Sequence, residues 1–76
     1  MNAWQEVLNH LKPKVNTQSY QTWLRPTRFS HVENNAVVVG VPNREFQDWI
    51  QEHYGTLIRE ALEKLRLGVE EICFVY

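Results

Sequence analysis

The chain is 76 residues long, 43% hydrophobic and 12% aromatic, with a formal net charge of −1. That length holds one domain with a small core, and that apolar content is too high for a disordered tail. The near-neutral balance excludes a strong overall pull on nucleic acid or on an anionic membrane surface.

The single cysteine, Cys73, has no partner for an internal disulfide, which suits a reducing compartment. No apolar run approaches the length of a membrane span, and residues 1–4 lack the basic and apolar regions of a signal peptide. These features predict an intracellular, cytoplasmic protein with no membrane partner.

Asn2 is a suitable cap for a first helix. Trp4, Val7, Leu8 and Leu11 follow at the spacing of a single helical face. Pro13 disfavours helical geometry at Lys12, so this helix ends or kinks there. Asn16 or Thr17 then caps a second, shorter helix carrying Tyr20, Trp23 and Leu24, and Pro26 stops it. Residues 27–33 read as a strand in which Phe29 and Val32 have opposite parity, a conflict that a bulge or an edge position resolves. Asn34 and Asn35 predict a hairpin turn, because asparagine tolerates positive φ. Residues 36–41 form a second strand, apolar on both faces and therefore central.

The stretch from Val37 to Ile50 is the corner on which the rest of the chain packs. Pro42 ends the strand and Asn43 caps the next helix. Glu45 and Asp48 place negative charge near the positive end of the helix dipole. Phe46, Trp49 and Ile50 open an apolar stripe that continues through His53 or Tyr54, Leu57, Ile58, Ala61, Leu62 and Leu65. The stripe crosses Gly55, so it is either one long helix or two helices broken near residues 54–55. Gly68 is a helix-ending residue. Residues 69–76 predict a third strand, with Ile72, Phe74 and Tyr76 on one face. The order is ααββα(α)β: one α+β domain over residues 1–76, a two-layer architecture with a three-stranded sheet packed against helices.

Catalytic signatures are missing from the sequence: no nucleophile elbow, no P-loop, no dinucleotide fingerprint, no zinc-protease motif. His10, His31, His53 and Cys73 match no metal-ligand spacing. An enzyme and a metal site are therefore not expected. Lys12, Lys14, Arg25 and Arg28, near Tyr20 and Trp23, are the candidate nucleic-acid contacts, since cations beside aromatics hold single strands. The layout is KH-like, but the GXXG loop with which KH domains clamp a backbone is missing. Of the three tryptophans, Trp49 sits mid-stripe and is expected in the core. Trp23 is expected in the core with an exposed edge, and Trp4 divides evenly between core and contact surface.

Several ordered features carry a family resemblance. They are Trp4, Leu8 and Leu11; Ser19-Tyr20-Gln21-Thr22-Trp23-Leu24-Arg25-Pro26; Val41-Pro42-Asn43 with Phe46, Asp48-Trp49-Ile50, Tyr54 and Ile58; and a terminal strand bearing Phe74. Together they resemble the N-terminal domain of the bacterial chromosomal replication initiator DnaA, over almost the whole chain. The resemblance implies a KH-like ααββαβ fold and a protein-interaction hub that promotes initiator self-association, recruits the replicative helicase and binds regulators. It also implies weak contact with single-stranded DNA. No cofactor is implied for this segment, because ATP belongs to a downstream domain outside it, whether the chain is a fragment or a stand-alone relative. By position, the self-association residue is Trp4, and the partner-binding residues are Ser19, Thr22, Trp23 and Glu45; Phe46 joins the partner-binding candidates through its place at the helix start beside the strand exit. In the family the position of Glu45 is commonly aromatic, whereas here the aromatic, Phe46, stands one residue later. The position of Ser19 is sometimes an acid. Two rivals stand beside the interaction module: a weak single-stranded nucleic-acid binder, and a stand-alone regulator that mimics the initiator domain.

Overall fold

The structure, a computed structural model, describes residues 2–76. Helix α1 (Ala3–Leu11) is capped by Asn2, whose side-chain oxygen accepts from the Gln5 N–H at 2.7 Å. The expected face of Trp4, Val7, Leu8 and Leu11 is buried along its whole length. Pro13 converts the helix end into a 3₁₀ turn, Lys12–Lys14, in which its missing N–H costs nothing.

Asn16 caps α2 (Thr17–Ser19) by accepting from the backbone of both Gln18 and Ser19. The helix continues as a π-helical turn, Tyr20–Leu24, closed by the Arg25 N–H donating to the Tyr20 carbonyl at 2.9 Å. Pro26 cannot supply a further donor, and Thr27 turns back to bond the Leu24 carbonyl.

Strands β1 (Arg28–Glu33), β2 (Ala36–Gly40) and β3 (Glu71–Val75) form one sheet in that order. β1 and β2 are antiparallel, joined at Asn34 and Asn35 with φ of 50° and 65°. The register shifts between Phe29 and His31, which leaves Ser30 as the extra residue of a bulge on an edge strand. Phe29 then lies opposite Val39 and Val32 opposite Val37, so both fall on the same face of the sheet despite their opposite parity in sequence. Phe29 packs on the core, while Val32 stays exposed on the edge strand. β2 is central and buried on both faces, as expected. β3 pairs with it in parallel, which requires the crossover that the third helix provides. β3 is shorter than the sequence suggests, because Val69 is drawn into the core and the Glu70 N–H is taken by the Asn35 carbonyl before the ladder begins.

Helix α3 (Arg44–Leu65) is one unbroken helix through Gly55. Asn43 caps it, accepting from the Phe46 N–H at 3.1 Å. It ends at Arg66 in the left-handed conformation, with φ of 50°, so the terminus falls two residues before Gly68, which takes the following turn at φ of 79°. Ile50, Ile58, Ala61 and Leu62 of α3 close on α1 and on Val37, Val39 and Val41. Helices on one side and a mixed three-stranded sheet on the other make the expected two-layer α+β architecture.

Candidate functional site

The polar side chains are spread out, whereas the aromatic ones converge. Trp23, at the end of the α2 extension, stacks on Trp49 of α3 with ring centroids 4.5 Å apart and planes 12° from parallel. Phe46 meets Trp23 at 4.9 Å in a tilted arrangement. His53 lies 4.0 Å from Trp49, and Tyr54 extends the series at 6.4 Å from His53. Offset-stacked and tilted pairs of this kind are held together by ring quadrupoles as well as by burial.

Trp49 corrects the sequence reading, which places it in the core: it is 38% exposed. The reason is helical phase. Ile50 occupies the centre of the buried stripe and has no exposed area, so its neighbour is rotated by about 100° onto the flank. There the α2 corner meets α3, and Trp23 covers one part of the indole while the rest faces solvent. Trp49 and His53 are therefore surface residues of this corner that the sequence reading missed. The signal that could have found them is their own i, i+4 spacing, beside the row led by Ile50 rather than on it.

The five partner-binding candidates divide. Trp23 and Phe46 are half-buried and in ring contact. Glu45 is exposed in the first turn of α3. Thr22 is exposed, with its hydroxyl donating to the Gln18 carbonyl at 2.9 Å. Ser19 is half-buried, and its N–H is held by the Asn16 cap. Asp48 and Glu52 add exposed carboxylates to the same turns of α3, with Arg44 3.8 Å from Asp48.

Trp4, matched to self-association, is 2% exposed. Its indole N–H donates to the Thr27 hydroxyl at 2.8 Å, and that hydroxyl in turn donates to the Leu24 carbonyl. A helix near the N-terminus, the end of the α2 extension and the approach to β1 are thereby tied at one buried threonine. The sequence reading gave Thr27 no role beyond opening a strand. A Trp4→Ala variant consequently tests folding before it tests any contact between copies.

The four candidate cations do not form one cluster. Lys12 sits 5.9 Å from the Tyr20 ring centroid, and with Arg25 and Tyr20 it lines a groove of about 340 Å³. Lys14 is 3.3 Å from His10 Nε2. Arg28 lies elsewhere, beside Pro26, Val41 and Tyr76. Among the described residues no group of three or more His, Cys, Asp or Glu side chains could hold a metal ion, and no helix is long and apolar enough to cross a membrane.

The fold and its exposed aromatic corner define a small α+β domain whose distinctive surface is a stack of rings rather than a polar pocket. Residues 1–64 match the DnaA N-terminal domain, and the chain belongs to that family. It is 33% identical over 63 residues to the chromosomal replication initiator protein DnaA of Flavobacterium psychrophilum. That alignment covers 83% of this chain and 13% of the relative, so the chain spans a small part of the curated protein it matches. β3 lies beyond the residues matched to the family.

Proposed function

We propose that this chain is the protein-interaction module of a chromosomal replication initiator, serving self-association, recruitment of the replicative helicase and binding of initiator regulators at the origin. Membership of the DnaA N-terminal domain family supports the setting. The observation that carries the reading is the Trp23–Trp49–His53 stack, half-open to solvent at the α2/α3 corner. Large, stiff rings with one covered and one open side are typical anchors of protein interfaces, because they bring contact area at little cost in side-chain entropy.

The acids Glu45, Asp48 and Glu52 on these turns favour a protein partner at this corner over a phosphate backbone, which they repel. A single-stranded DNA strand would have to use the separate groove of Lys12, Tyr20 and Arg25, where only two of the four candidate cations meet. The test is an amide chemical-shift titration of the chain with the same organism's replicative helicase and, in parallel, with a single-stranded oligonucleotide. Shifts centred on Trp23, Phe46, Trp49 and His53 with helicase support the interaction module and its surface. Silence with helicase, together with salt-dependent shifts at Lys12, Tyr20 and Arg25 with DNA, replaces it with the nucleic-acid binder.

A further inference from the structure

Trp4 is enclosed in the folded chain, whereas the sheet of the described residues has an open edge. β3 is the last strand on its side. In its parallel ladder with β2, alternate residues direct both peptide groups at the neighbouring strand. The Glu71 N–H donates to the Asn35 carbonyl at 3.3 Å, and the Val75 carbonyl accepts from the Val41 N–H at 2.9 Å. Glu71, Cys73 and Val75 therefore bond inward, and the peptide N–H and C=O of Ile72 and Phe74 point away from the sheet. A groove of about 350 Å³ runs between this edge and α3, lined by Gly55, Ile58, Ile72 and Phe74. A Cβ at Gly55 would meet nothing within 4 Å. Cys73 is exposed, and Val75 is 45% exposed.

We propose that two copies of this chain pair antiparallel through their β3 edges, about a two-fold axis at Cys73, joining two three-stranded sheets into one. This rests on the self-association reading above and gives it a surface. The sequence of the strand is complementary to itself in this register. Ile72 of one copy lies opposite Phe74 of the other and exchanges both N–H···O=C bonds with it, using the outward-facing groups. The two Cys73 residues face each other in the central, non-hydrogen-bonded position. Glu71 falls opposite Val75, so no like charges meet across the pair. On the helix side, each copy's Ile72 and Phe74 approach the other's groove, where the missing side chain of Gly55 leaves room. The interface is isologous and therefore closes at two copies. So short an edge gives a weak dimer, suited to a module that acts in numbers through raised effective concentration.

The experiment is sedimentation equilibrium of the 76-residue chain and of Cys73→Ser, Cys73→Glu and Cys73→Lys variants, with a thermal melt to verify that each is folded. Cys73 is exposed, so these changes leave the monomer intact. The wild-type chain and Cys73→Ser are expected to dimerise reversibly, with concentration-dependent amide shifts confined to residues 71–75 and the facing turns of α3. Cys73→Glu and Cys73→Lys each place like charges at the axis and weaken the dimer roughly tenfold or more, and an equimolar mixture of the two restores it. A dimer that persists unchanged in Cys73→Glu overturns the β3 pairing while leaving self-association through another face. A wild-type chain that stays monomeric at every concentration overturns the pairing and the self-association reading together, and the helicase titration remains a separate measurement.

Discussion

Replacing Thr27 by valine keeps the shape of the side chain and removes its hydroxyl. In the folded chain that hydroxyl accepts from the Trp4 indole at 2.8 Å. The variant therefore leaves a buried N–H with no partner, at a cost of about 1–3 kcal/mol. The Leu24 carbonyl is less affected, because the Thr27 N–H also donates to it, at 3.1 Å. An expected loss near 2 kcal/mol corresponds to a fall in Tm of about 8–16 °C for a domain of this size. It is a large share of a total stability of about 4–11 kcal/mol, yet leaves the chain folded at room temperature. Urea and thermal denaturation followed by far-ultraviolet circular dichroism measure it. Trp4→Phe removes the same hydrogen bond from the other side and adds a small void. In a double-mutant cycle the two changes should couple by about 1 kcal/mol, because either one alone already breaks the bond. Thr27→Val within about 0.3 kcal/mol of wild type, or strictly additive costs, would refute the buried Trp4–Thr27 link. A Trp4→Phe variant with unchanged stability and altered self-association would show instead that the indole acts at the surface.

Trp49→Ala should cost only about 1–2 kcal/mol, since the ring is partly exposed and stacked rather than enclosed, while abolishing helicase-induced shifts at Trp23 and His53 in the same titration. Gly55→Ala should raise Tm by several degrees, about 0.5–1 kcal/mol, because the helix is continuous there and an added methyl meets open space. Asn43→Ala should cost about 1 kcal/mol in urea unfolding through loss of the α3 cap. Asn35→Gly should stabilise the hairpin by about 0.5 kcal/mol, since both turn residues carry positive φ and glycine suits the second position; an unchanged or lowered Tm counts against that turn geometry.

Much of the fold is written locally. The caps at Asn2, Asn16 and Asn43 are each decided by a side chain and the turn that follows it. The Asn34–Asn35 turn and the central position of β2 follow from positive-φ tolerance and from a strand apolar on both faces. The stripe across Gly55 was legible as a helical period, but its continuity was not. One glycine costs less than the packing of Ile50, Ile58, Ala61 and Leu62 against the sheet provides, and only the tertiary contacts settle that comparison.

The candidate site was legible in part. The family resemblance marks Trp23 and Glu45, and Phe46 stands beside the marked position; the structure brings the Trp23 and Phe46 rings into contact. Trp49 and His53 were not, because periodicity reports which face of a helix is apolar and not where a neighbouring helix stops covering it. Trp4 shows the same limit from the other side: a tryptophan in a first turn is equally compatible with core and surface until a partner such as Thr27 arrives from 23 residues away. Nor could spacing alone show that Lys12 and Arg25 share a groove while Arg28 does not. By itself the sequence determined the helical periods and their caps, the hairpin, the layer architecture and the family, all of which depend on short-range pattern. The tertiary structure decided which aromatic faces remain open and which strand edge stays free, because exposure depends on how distant segments cover one another.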